Sequence, residues 1–273
     1  MKKLLSLLLA LGIVCSLAGC AGTNGGSQSD ASQSQSSSGS GSGSQTSGSQ
    51  TDGSQTDVQV MSYDEYMAAA VDDPVTIEAY VQAKQSWWEN QATVYAQDED
   101  GAYFLYNMAC SEEDYAKLVP GTCIRVSGYK AEWSGEVEII DATFEIVEGD
   151  TFIAQPLDVT SLLGTDELID HQNQLVDFKG LTVVAAGQDD AGNDVPFLYN
   201  WDGSGTQGDD LYFNVSVNDQ TYTFTVESYL CDSSTEVYKA VEALEIGQVI
   251  DAQGFLYWYE GVNPHITSIT VVE

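Results

Sequence analysis

Three glycines spaced seven apart, Gly121, Gly128 and Gly135, recur as Gly247, Gly254 and Gly261, each offset by 126 residues. Ile124 and Val126 have Ile250 and Ala252 at that offset, and Trp133 has Tyr259. Further forward, Val75, Ile77 and Ala79 match Val176, Phe178 and Gly180 at an offset of 101. The chain therefore reads as one unit built twice. The second copy carries about 25 extra residues, mostly Gln188 to Asp210.

The unit is mainly β. Ser62 and Glu65 have capping-box spacing for a short helix through Val71, stopped by Asp72-Asp73-Pro74. From Val75 to Val81 every second residue is apolar, the period of a half-buried strand. Thr93 to Gln97 and Ala102 to Met108 read as two more strands around a turn at Asp98-Glu99-Asp100-Gly101. A helix is expected from Ser111 to Leu118, then strands from Thr122 to Trp133 and from Glu136 to Val147. Three strands, one helix and two strands is the order of an OB-fold, a five-stranded barrel. A glycine inside a strand, such as Gly128, permits the sharp bends that a small barrel needs.

The second unit repeats this order. Its helix is expected from Ser234 to Leu244, capped by Ser233, and strands follow at Val249 to Tyr259 and His265 to Val272. The predicted organisation is an OB-like domain at residues 58–148, a linker at 149–174 with two short helical turns, and a second OB-like domain at 175–273.

The N-terminus gives an address. Met1-Lys2-Lys3 precedes an apolar run from Leu4 to Val14, matching a secretory signal and too short to span a bilayer. It closes on Leu17-Ala18-Gly19-Cys20, which resembles a bacterial lipobox with a lipidated Cys20. Residues 21–57 are almost wholly Gly, Ser, Gln, Thr, Asp and Ala, a composition that does not bury a core. That length of flexible chain spans about 35 Å. The expectation is a disordered tether at the extracellular face of the membrane, attached through its lipid.

Charge narrows the partners. The whole chain carries −34. Removing Lys2 and Lys3 leaves six basic residues against 42 acids, or −36. Nucleic-acid binding through the phosphates needs clustered cations, so no nucleic-acid partner is expected. After the signal, Cys110, Cys123 and Cys231 remain. They allow one disulfide, Cys110 with Cys123, or three thiols.

Segments such as Val75-Thr-Ile-Glu-Ala-Tyr-Val, Ile124-Arg-Val-Ser-Gly-Tyr-Lys and Gly254-Phe-Leu-Tyr-Trp-Tyr-Glu-Gly resemble uncharacterised surface lipoproteins of Gram-positive, clostridia-like bacteria with OB-fold-like domains. The resemblance covers residues 58–273 and implies fold and location; it carries no catalytic motif.

No catalytic residue, metal ligand or cofactor is expected. His171 and His265 are the only histidines and sit in no nucleophile or metal motif. The acidic turns at Asp98, Asp189 and Asp202 have calcium-loop character without its full ligand spacing. Aromatic residues are the candidate ligand-binding groups: Trp87, Trp88, Tyr129, Trp133, Trp201, Trp258 and Tyr259. Tyr257, Trp258 and Tyr259 are expected on the fourth strand of the second barrel. The function expected is non-catalytic binding of an extended glycan or peptide, or of a protein partner, at the cell surface. The alternatives are a structural subunit of an envelope assembly and a carboxylate-dependent hydrolase.

Overall fold

The computed structural model describes residues 59–272. The signal, Cys20 and the tether lie outside the described residues.

The chain opens with helix α1 (Tyr63–Ala68). Ser62 and Glu65 form the reciprocal capping box, with Glu65 N–H donating to Ser62 Oγ at 3.2 Å. The helix stops three residues before Val71. Ala69 is extended, and Ala70 N–H donates to the Asp73 carboxylate. Buried Lys130 takes over the freed carbonyls, donating to those of Tyr66, Met67 and Ala69.

Five strands follow: β1 (Pro74–Lys84), β2 (Gln91–Gln97), β3 (Ala102–Ala109), β4 (Cys123–Trp133) and β5 (Glu136–Ile146). Helix α2 (Glu112–Tyr115) lies between β3 and β4, capped by Ser111. The strands close into a barrel in the order β1-β2-β3-β5-β4, with β3 and β5 parallel. Alternate residues of β1, Val75, Ile77, Ala79 and Val81, are fully buried in its core.

The connector holds β6 (Leu157–Asp158) and two 3-10 turns, Thr160–Leu162 and Asp166–His171. The second unit begins with β7 (Leu175–Val184). The insertion forms the short strands β8 (Gly187–Gln188), β9 (Asp194–Val195) and β10 (Phe197–Tyr199). Then come β11 (Leu211–Val217), β12 (Gln220–Val226), helix α3 (Glu236–Glu242), β13 (Val249–Phe255) and β14 (His265–Val271). Strand pairings run β7-β11-β12-β14-β13 and return to β7, with β12 and β14 parallel. This ring has the strand order of the first. The chain is thus two tandem OB-like five-stranded barrels, each with a short helix before its fourth strand.

The repeat holds at the level of register. Val75 pairs with Gly128 in the first barrel, and Val176 pairs with Gly254 in the second. Both glycines sit at a break in register where the strand bends. A Cβ on Gly128 would lie 2.7 Å from Ile140 O, and one on Gly254 would run into His265 O.

Two local expectations are corrected, and one alternative is decided. Thr235, not Ser233, caps α3, because Asp232 draws in the N–H and hydroxyl of Ser234. Strand β13 ends at Phe255, because Tyr257 N–H turns back to Phe255 O while Leu256 N–H donates to Gln174 O. Tyr257, Trp258 and Tyr259 are therefore loop residues. Of the two alternatives for the cysteines the structure holds the second: Cys110, Cys123 and Cys231 are buried thiols and none is bridged to another.

Gly254→Ala is expected to destabilise the chain by about 2–3 kcal/mol, because the clash is with backbone rather than a mobile side chain. Gly180→Ala meets nothing within 4 Å. It costs only the strain of its left-handed backbone, about 1 kcal/mol. Chemical denaturation of the two variants checks the order.

Candidate functional site

Between the barrels lies a cleft of about 850 Å³. A buried seam joins its two walls. Tyr95 of β2 stacks on Phe255 of β13 with centroids 4.4 Å apart, and Phe104 of β3 packs edge-on against Tyr257. The Tyr95 hydroxyl pairs with His265 Nδ1 at 2.6 Å. Tyr257 covers the imidazole face, centroids 4.2 Å apart. Complete burial pushes His265 down to about 3, so the ring is neutral and structural at ordinary pH.

A second fastening uses Glu136, at the start of β5. It is fully buried and accepts Trp258 N–H at 2.9 Å. Gln172 of the connector donates to Gly135 O and accepts from Val137 N–H. On another side, Ser86 N–H and its hydroxyl both donate to Tyr229 O. Burial pushes the Glu136 carboxyl up to about 9.

The first barrel lines the cleft with Trp88, Phe104, Tyr106 and Trp133, and with the amides of Gln85, Gln91 and Asn107. Trp88 stands on a tight turn made by Glu89 and Asn90, both at positive φ, which closes through a Trp88–Gln91 bridge. The second barrel contributes Trp201 from the insertion, Tyr212, Tyr229, Tyr257 and Tyr259. Among the rings at the mouth, Trp88 is 66% exposed, Trp133 59% and Trp201 76%.

The charged part of the lining is acidic. Asp210, Glu227 and Glu260 line the cleft, and among the described residues no lysine or arginine does. All six cations of the two barrels are engaged elsewhere. Arg125 pairs with Glu78 and Glu145, Lys117 with Glu113 and Asp114, and Lys179 with Asp177 and Asp251. Lys84, Lys130 and Lys239 donate to backbone carbonyls.

Of the seven candidate rings, the cleft brings together Trp88, Trp133, Trp201 and Tyr259. The others lie outside its lining. Trp87 is half-buried, its indole N–H donating to Cys110 O. Tyr129 is exposed on β4, paired with Pro74. Trp258 packs against the second core and over Gly135. Sequence reasoning missed Tyr106, Tyr212, Tyr229 and Glu227, which nothing in the local sequence marks. The acids of the calcium-like turns cap their own loops: Asp98 takes the N–H groups of Asp100 and Gly101, Asp189 those of Ala191 and Asn193, and Asp202 that of Ser204.

No protein-family model and no curated protein sequence matches the chain. Solved structures similar to it include the p204 HINb domain, at 12% identity and a TM-score of 0.33, covering 74% of this chain and 98% of that one. A murine DNA-binding protein bound with double-stranded DNA matches at 12% identity and a TM-score of 0.33, over 74% and 99% of the two chains. A replication protein A heterotrimer bound to single-stranded DNA matches at 12% identity and a TM-score of 0.31, over 76% and 51%.

Two expectations are corrected here. The expectation of an extended glycan or peptide ligand, with the adaptor role built on it, and the exclusion of nucleic acid both run against similar structures that are bound to double-stranded or single-stranded DNA. The physical flaw in the exclusion is specific. Net charge bears on phosphate contacts, whereas stacking engages the π-face of any base and needs no cation.

Glu136 sets a pH dependence of stability. Its folded value lies above the ordinary 4.5, at about 9, so its contribution is complete below about pH 4.5 and falls as pH rises to about 9. Glu136→Gln keeps the shape and removes the titration. Its melting temperature is expected to gain on the parent between pH 5 and pH 9, by at least the 2–4 °C that about 1 kcal/mol represents at this size. A constant gap across that range would contradict the assignment.

Proposed function

We propose that the protein is a non-catalytic binding protein whose inter-barrel cleft takes a compact organic ligand with a planar ring and a cationic or hydrogen-bond-donating nitrogen. The observation that carries this reading is the lining itself: aromatic faces and three carboxylates with no opposing cation. Aromatic faces attract cations through their quadrupole, by about 0.5–2 kcal/mol per ring. The volume suits one drug-sized molecule rather than a long polymer.

A second reading is favoured by the exposed rings of Trp88, Trp133 and Trp201 at the mouth. Such rings stack on unpaired nucleobases, as nucleosides or in a single strand. With −36 on the mature chain, contact would have to run through the bases.

Ligand-observed NMR on the full chain separates the two readings, using aromatic amines, nucleosides and short single-stranded oligonucleotides. The first expects saturation by the amines; the second expects it by nucleosides and oligonucleotides. In either case Trp201→Ala is expected to weaken binding roughly fivefold, about 1 kcal/mol. Tyr129→Ala, outside the cleft, is expected to leave it unchanged. Equal loss in both variants would place binding elsewhere.

Location is part of the proposal. The Leu17–Cys20 motif, resembling a bacterial lipobox, supports a lipid anchor at the outer face of the membrane. Cys20→Ala is expected to release the protein into the medium, and retention in the membrane fraction would remove the anchor.

A further inference from the structure

We propose that Glu227 is the specificity-determining residue of the cleft, selecting ligands whose positive nitrogen carries a hydrogen to donate, protonated amines and amidinium-like groups, over quaternary ammonium. The inference rests on the cleft reading above.

Glu227 follows β12 directly and is 92% buried, being 8% exposed, among the cleft-lining residues. One carboxylate oxygen, Oε1, accepts Tyr229 N–H at 3.1 Å. The other, Oε2, is shielded from solvent and has no hydrogen-bond partner. A buried acceptor left unmatched costs about 1–3 kcal/mol, more when charged. Among the described residues no cation matches it, because every lysine and arginine of the barrels is held elsewhere. A ligand entering the cleft supplies the missing donor. A protonated amine or amidinium offers an N–H to Oε2 while its body meets the rings. A quaternary ammonium carries the charge without the hydrogen.

The Tyr229 and Leu230 N–H groups favour the Glu227 carboxylate, but burial and the rest of its surroundings oppose ionisation and prevail. Asp210 is a like charge, its Oδ1 already taken by the N–H and hydroxyl of Ser228. The hydroxyls of Tyr95, Tyr212 and Tyr257 are held neutral, raised mainly by burial. So is the Cys231 thiol, and the His265 ring is neutral as well. Burial, then Asp210, pushes Glu227 up to about 7. Below that pH the carboxyl is neutral and attracts a cation weakly; above it the carboxylate is formed. The ammonium of a simple amine stays protonated well beyond this range, as a lysine does.

The test titrates the full chain with phenethylammonium, benzamidinium and trimethyl(phenethyl)ammonium at pH 6, 7 and 8, read by tryptophan fluorescence. The parent is expected to bind the first two at least tenfold more tightly than the third at pH 8, the scale of one charge-assisted hydrogen bond. That preference should grow as pH rises through about 7. Glu227→Gln is expected to lose it, with quaternary binding within about threefold of the parent. If the variant folds poorly, the pH profile of the parent decides alone: a preference that does not rise between pH 6 and 8 overturns the proposal. Retained discrimination in a folded Glu227→Gln variant overturns it too, and leaves the cleft reading standing. No response to any of the three probes overturns both.

Discussion

The aromatic seam between the barrels is the constraint on which the rest of the structure depends. Tyr95, Phe104 and Phe255 are buried together, two from the first barrel and one from the second. Buried ring pairs add about 0.5–1.5 kcal/mol each beyond the area they bury. The seam also fixes direction, since the Tyr95 hydroxyl must meet His265 at the first residue of β14. Two small barrels joined by a connector need contacts between them to fix their relation. The seam supplies them, and the cleft beside it follows.

Glu136 adds specificity to that joint at a cost in stability. A buried carboxyl is weak evidence for stabilisation. Neutral, it still accepts the Trp258 N–H that would otherwise be buried without a partner. A shifted docking of the barrels would leave both groups unmatched. The same logic separates Glu136 from Glu227. Both are buried acids raised by desolvation, but Glu136 faces the joint and Glu227 lines the cleft.

Much of the fold was legible because its demands fall on backbone. Gly128 and Gly254 are required where strands bend past Ile140 and His265, so the repeat was visible as glycine spacing. Alternation along β1 exposed its buried face. The site was less legible. Tyr257, Trp258 and Tyr259 continue the pattern of β13, and only the turn at Phe255 sends them elsewhere. Trp87 and Trp88 are adjacent and alike in sequence, yet one donates to Cys110 O and the other stands on a turn at the cleft. Glu227 is one of 42 acids, distinguished only by what surrounds it in three dimensions.

The acidity of the chain takes on a different meaning in that light. Read as composition, it spoke against phosphates. In the structure, surface carboxylates absorb Arg125, Lys117 and Lys179, and backbone carbonyls absorb the other three cations. The charged groups left lining the cleft are carboxylates, beside ring faces and neutral amides. Long-range attraction of a cation by the acidic body is screened beyond about 8–10 Å at physiological salt. It therefore favours encounter more than affinity. Discrimination has to arise where water is excluded, and Glu227 is the acid of that lining with the least exposure and a free acceptor.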